Sequence, residues 1–412
     1  MSPLLRAMLS RRMLVCLLTG FSSGLPLYVG RQLMPAWLDV SGVDLSTIGV
    51  FGLLSMPYTL KFLWAPLLDR YSLPGLGRRR GWALFFQGLL LCSLAAFAAF
   101  DPGTSLGTIA ALTAVVAFLS ASQDIVLDAW RREMLPDAEL GLGNSLFVNG
   151  YRLAALVPGS LALFLADRVP WWQVHLVVAA FMTVGIIATA LSPEAPPPEG
   201  GPRTLAQAVW APLRSFFAVR GTRRAMTILV FLLLYKLGDT VATALLTPFY
   251  LDLGFTLTDV ATVAKFAALG AAVVGGLGGG AIMLKTGINR ALWLFGGVQI
   301  ASILGFVGLA LVGPSKPALF AAVAFEYLGV GLGTAAFVSF IARETDKRYT
   351  AFQLALLTSL AGVPATLFAS GAGVLAEATG WPLFFTCCTA LAVPGLVMLP
   401  YVAPWGGEPR AS

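Results

Sequence analysis

Long apolar runs separated by short polar breaks set the rhythm of this chain. Twelve such runs lie near residues 13–35, 46–67, 82–100, 106–128, 141–165, 171–192, 225–250, 258–283, 291–312, 317–341, 351–375 and 380–403. About 20 apolar residues in a helix cross the roughly 30 Å hydrocarbon layer of a bilayer. The runs are continuous rather than alternating, and each must satisfy its own backbone in lipid, so they predict helices and not barrel strands. The expectation is an all-α membrane protein. Arg6, Arg11 and Arg12 precede the first run as they would in a signal peptide,. That run continues through Pro26 and Leu33 with no A-x-A site, so it is expected to stay as a helix.

The polar breaks are not equivalent. Twenty of the 27 Lys and Arg residues fall in one set of alternate breaks, and the other set holds only Arg168 and Lys316. Basic loops face the cytoplasm, which predicts that both termini are cytoplasmic. The net charge of +7 therefore reports orientation in the bilayer. No basic face is interleaved with exposed aromatics, so no nucleic-acid partner is expected. Arg78, Arg79 and Arg80 read as a solvated loop run,. Charged residues make up 11% of the chain, against about 25% in soluble domains,.

Residues 193–224 break the rhythm. The stretch from Ser192 to Pro202 is too rich in proline for a helix and too polar for lipid,. It divides an N-terminal half, 1–192, from a C-terminal half, 225–412. Leu205 to Phe217 has an apolar face with basic flanks and is expected to lie along the cytoplasmic interface,. Short basic, glycine-containing loops recur after the second run (Asp69 to Gly81) and the eighth (Leu284 to Arg290). Two six-helix halves and a cytoplasmic linker suit a rocker-type secondary transporter with a midplane site between the halves. No G-x-x-x-x-G-K-[ST] loop is present, so an ATP-driven pump is unsupported,.

Ionisable groups at membrane depth are expensive, and each is a functional candidate. They are Arg31, Lys61, Asp124, Asp128, Arg152, Lys236, Asp239, Lys265 and Glu326. Asp124, after Ser120, Ser122 and Gln123, reads either as a proton-coupling carboxyl or as a paired structural acid. Asp128, one turn on, shares its face and sits beside Arg131. Asp128 and Arg131, with Asp69, Arg70 and Arg78, read as a cytoplasmic latch. Lys236 and Asp239, at i and i+3, can neutralise each other or offer Lys236 to a solute carboxylate. Arg152 and Arg31 are guanidinium forks suited to anions, although Arg31 equally suits snorkelling to the surface. Glu326 reads as a partner of Lys236 or Lys265, or as a second proton site. Four cysteines, all in predicted spans, and the single histidine, His175, offer no metal-ligand spacing,. His175 reads as a packed or interfacial residue.

Several segments together resemble one family. They are Phe21 to Leu27, Lys61 to Tyr71, Gly77 to Trp82, Ser120 to Trp130, Gly150-Tyr151-Arg152 and Tyr235 to Asp239. In order, and through both halves, they are similar to the AmpG-type muropeptide permeases. The resemblance implies a major facilitator superfamily fold with 12 transmembrane helices, and a multi-pass place in a bacterial inner membrane. It implies proton-driven import of N-acetylglucosamine–anhydro-N-acetylmuramyl peptides for peptidoglycan recycling, with no cofactor beyond the proton gradient. Such an anionic glycopeptide would meet Arg152, Lys236 and Arg31 with its acids. Gln123, Asn149, Tyr151, Tyr235 and Asp239 complete the candidate site. Relatives of the same build that carry pyochelin-type siderophores or acetyl-coenzyme A supply the alternative. A membrane enzyme using Asp124 and Asp128 lacks a nucleophile or metal set, so no enzyme is expected. The chain is expected to act as a monomer with the bilayer and a small solute as its partners.

Overall fold

The computed structural model describes residues 3–73, 75–194 and 204–407. The proline-rich part of the expected linker, 195–203, lies outside the described residues, as do Pro74 and Arg410. Among the described residues, nine helical stretches are long and apolar enough to cross a membrane. One of them, Thr262–Val312, is 51 residues long and covers two expected spans. It turns at Gly287, whose φ of 78° favours a residue without a Cβ,. The eleventh expected span is the 30-residue helix Thr350–Thr379.

The second expected span is not one helix. It is a succession of short pieces, Leu45–Phe51, Gly52–Ser55, Met56–Leu60, Lys61–Leu63 and Ala65–Arg70. Pro57 and Pro66 cannot donate to the ladder, and Gly49 and Gly52 weaken it further,. The seventh is also broken, at Lys236 and Leu245, between Thr222–Leu234, Leu237–Ala244 and Leu246–Asp252. The expected interfacial segment forms the helix Leu205–Arg220, with Trp210 and Val219 largely exposed.

The chain divides into two compact units. The first comprises Met1–Pro136, Leu146–Arg214 and Thr345–Ser359, and the second Asp137–Ser145, Ser215–Glu344 and Leu360–Ser412. Each unit thus includes a short segment from beyond the linker. The first unit is organised by a crossing of backbones. A Cβ at Gly20 or Gly24 would strike the carbonyl of Phe147 or Tyr151, and one at Gly150 would strike that of Leu17. Lipid gives helices no hydrophobic reason to associate, so such close approach supplies the packing energy. His175 fills an aromatic box, with ring centroids 4.3 Å from Trp37, 5.6 Å from Phe97 and 6.1 Å from Trp171. In the second unit Phe249, Phe306, Phe384 and Phe385 are fully buried around one another. Large apolar side chains such as Phe266, Val274 and Leu311 lie on the outside, a surface suited to hydrocarbon and not to water.

Candidate functional site

Beside that crossing, Arg11–Tyr28 is also bonded to the 33-residue helix Pro102–Met134. Ser120, Ser122, Gln123 and Asp124 on the latter are all buried. The Gln123 amide donates to the carbonyl of Ser22 at 3.1 Å, and Gln87 reaches the Ser22 hydroxyl at 3.4 Å. Gln123 therefore ties helices together. Its neighbour Asp124 accepts a hydrogen bond from the Ser23 hydroxyl. Lys61, Tyr58 and Tyr151 lie close enough to Asp124 to interact electrostatically.

Tyrosines and guanidiniums complete this cluster in the first unit. The rings of Tyr28 and Tyr151 meet edge to face at 5.6 Å. Arg152 and Arg31 both lie near Tyr28, and Arg31 also lies near Tyr58 and Tyr151. Arg31 sits in a π-helical turn, Val29–Leu33, which redirects its side chain relative to a regular helix,. Asn149, one residue before Gly150, is buried. Asp128, one turn below Asp124, is bound by Arg131 at 2.8 Å and Lys61 at 3.8 Å. The Arg131 guanidinium lies 3.7 Å from the centre of the Phe147 ring. Lys61 thus lies between Asp124 and Asp128, while Arg152 and the exposed Arg31 lie by the tyrosines, so cations and tyrosines gather on this side of the unit.

A second arrangement closes the loop end of the same unit. The Arg79 guanidinium donates to Asp69 at 2.6 Å, Glu133 at 2.7 Å and the Leu68 carbonyl at 3.0 Å. Arg78 donates to Glu133 at 2.6 Å. Asp69 in turn accepts from the backbone N–H groups of Ala351 (3.2 Å) and Phe352 (2.9 Å), at the start of Thr350–Thr379. The reading of Arg78–Arg80 as a solvated run is corrected here, because Arg79 is fully buried. Its position is in register with the buried face Ala83, Phe86, Leu90 and Leu94 of its own helix,. That periodicity was the available signal. Arg70 lies 5.3 Å from the centre of the Tyr71 ring.

In the second unit, Lys236 lies in the break before Leu237–Ala244 and Asp239 in the first turn of that helix, with Nζ and Oδ2 2.6 Å apart. The Asp239 carboxyl adjoins that of Glu326, which is fully buried and accepts from the Ser302 hydroxyl at 2.6 Å. Tyr235, just before the break, donates its hydroxyl to the Leu292 carbonyl at 2.9 Å and stacks on Phe337. Like Gln123, it holds helices together in this structure. Sequence reasoning did not single out Tyr58, Tyr28, Glu133 or Ser302, and it named Lys61 only as a charge at membrane depth and Arg79 only as part of a solvated run. Apart from the register of Arg79, their partners come from other elements and leave no local trace.

Broken helices that present charged side chains, among nine described helical stretches long and apolar enough to cross a membrane, fit the build of a membrane transporter,. The Major Facilitator Superfamily model matches residues 16–363, and the chain belongs to that superfamily. The chain is 48% identical over 404 residues to an uncharacterized protein of Haemophilus influenzae, covering 96% of this chain and 95% of that one. It is 45% identical over 400 residues to the anhydromuropeptide permease of Escherichia coli, covering 97% and 81%. The resemblance to AmpG-type permeases read from the sequence is thereby borne out. The crystal structure of the human organic anion transporter MFSD10 superposes with a TM-score of 0.69 at 16% identity, covering 97% of this chain and 100% of that one. At that identity the likeness concerns the fold alone.

Proposed function

We propose that this protein imports anhydro-muropeptides across the bacterial inner membrane, driven by protons, for peptidoglycan recycling. The relative of Escherichia coli named as an anhydromuropeptide permease supports the cargo. The observation that carries the reading at residue level is the buried carboxylate Asp124 beside Lys61, Tyr58 and Tyr151, with Arg31 and Arg152 close to the neighbouring Tyr28. A peptide-bearing amino sugar brings carboxylates for the cations and hydroxyls and amides for Tyr28, Tyr58, Tyr151 and Asn149. In a site of low dielectric, Asp124 exchanges a proton as solute charge arrives and leaves. Glu326 and Asp239 form the second proton-handling group, because adjoining carboxyls repel unless a proton lies between them. Lys236 is released from Asp239 when a solute carboxylate competes for it. Asp69, held by Arg79 and gripping the start of Thr350–Thr379, acts as the latch. Basic loops face the cytoplasm, as do both termini.

The test is uptake of radiolabelled muropeptide by membrane vesicles containing the full chain. Accumulation only under an inward proton gradient is expected. No accumulation, or accumulation indifferent to an uncoupler, overturns the cargo or the coupling respectively.

A further inference from the structure

The first described residues of the linker do not hang free. Trp130 Nε1 donates to the carbonyl of Pro193 at 3.1 Å, and Arg80 Nη1 to that of Ser192 at 3.5 Å. These contacts deliver the Glu194 carboxylate to the N-terminus of the 18-residue helix Arg79–Ala96. There it accepts from the backbone N–H of Arg79 at 2.8 Å and of Arg80 at 3.0 Å. Two otherwise orphaned donors are satisfied by a negative charge at the positive end of a helix. The neighbouring turn is shaped for it. Gly77 has φ of 88°, and a Cβ there would overlap the Glu194 carboxylate.

The residue held by Glu194 through its backbone is the one that holds Asp69 through its side chain. A continuous series of hydrogen bonds runs from Glu194 to the Arg79 amide, from the Arg79 guanidinium to Asp69 and Glu133, and from Asp69 to the amides of Ala351 and Phe352. Arg79 has no freedom to follow the linker without disturbing Asp69, because its guanidinium is fully buried and bonded on several sides. From this geometry we infer that Glu194 is a strap by which the linker sets the strength of the Asp69 latch. When Glu194 is seated, Arg79 is fixed and Asp69 is aimed at the start of Thr350–Thr379. When the linker is drawn away, the first turn of Arg79–Ala96 loses its cap and the grip on Ala351 and Phe352 loosens. The inference rests on reading the Asp69 contact as a latch, and goes beyond it by assigning control of that latch to the linker.

The test needs no cargo. Ala351, buried in this structure, is replaced by Cys in the full-length protein. Its alkylation by a water-soluble maleimide is timed against a parent retaining only the native cysteines. Asp69→Asn is expected to raise the alkylation rate about tenfold, the equivalent of one hydrogen bond to a charged group. Glu194→Ala is expected to raise it to a similar extent, and Glu194→Gln, which keeps one acceptor oxygen, to an intermediate extent. Adding Glu194→Ala to Asp69→Asn is expected to give no further rise, since both act through one connection. If Asp69→Asn has no effect, the latch itself is wrong. If Asp69→Asn accelerates alkylation while both Glu194 variants do not, the latch survives and the strap is overturned. Independent, multiplying effects of the two substitutions also overturn it.

Discussion

At the scale of single residues, what separates Asp124 from Asp128 is company. They lie four positions apart on one helix, yet Asp128 is bound directly by Arg131 and Lys61, whereas Asp124 accepts from a serine hydroxyl and has tyrosines and the same Lys61 nearby. Asp124→Asn is therefore expected to abolish gradient-driven accumulation while leaving solute exchange across vesicles measurable. Normal accumulation by this variant removes Asp124 from coupling. Arg152→Ala is expected to weaken an anionic ligand about tenfold more than its neutral analogue in competition binding. Equal losses for both ligands make Arg152 a packing residue. The membrane-depth charges were legible in the sequence because each interrupts an apolar run. So was the Lys236–Asp239 pair, whose spacing along the chain places the two on one face. The partners of Asp124, Asp69 and Glu326 were not, since Ser23, Arg79 and Ser302 come from other helices and no local pattern names them.

At the scale of elements, irregularity is where the chemistry collects. Lys61 lies in a chain of short helical turns, Arg31 in a π-helical turn and Lys236 at a break between helices. Hydropathy locates these spans but not their breaks, because a window average cannot see a missing hydrogen bond. The prolines at 57 and 66 were the visible cue in the second span, and nothing so plain marks the break at Lys236. The crossing of Arg11–Tyr28 with the residues around Gly150 is a regular element doing the opposite job, that of a fixed frame. Gly150→Ala drives a methyl group into the Leu17 carbonyl, and is expected to cost about 1–3 kcal/mol. The measurement is the thermal midpoint of the protein in detergent. Gly30→Ala, which meets no atom within 4 Å, serves as the control and is expected to leave the midpoint unchanged. Equal midpoints for the two variants show that the crossing is looser than described.

At the scale of the whole molecule, apolar rhythm was enough to predict a multi-pass transporter in two halves, and the resemblance of its motifs to the AmpG-type permeases supplied the superfamily. It was not enough to reveal how the chain is shared between units. A linear cut at the linker separates 1–192 from 225–412, but the first unit also contains Thr345–Ser359, and the second contains Asp137–Ser145. Ala351, Phe352 and Ala355 are core residues of the first unit although they lie far along the second half of the sequence. Each half of the gene consequently encodes an unfinished object. Fragments 1–192 and 225–412, made separately, are expected to be digested by a protease that spares the intact chain, whereas the two made together resist it. Resistance of either fragment alone would show that the borrowed segment is dispensable. Recombination that joins the front of one such permease to the back of another must then carry matching versions of both borrowed segments. Natural chimaeras should break elsewhere or pay with instability.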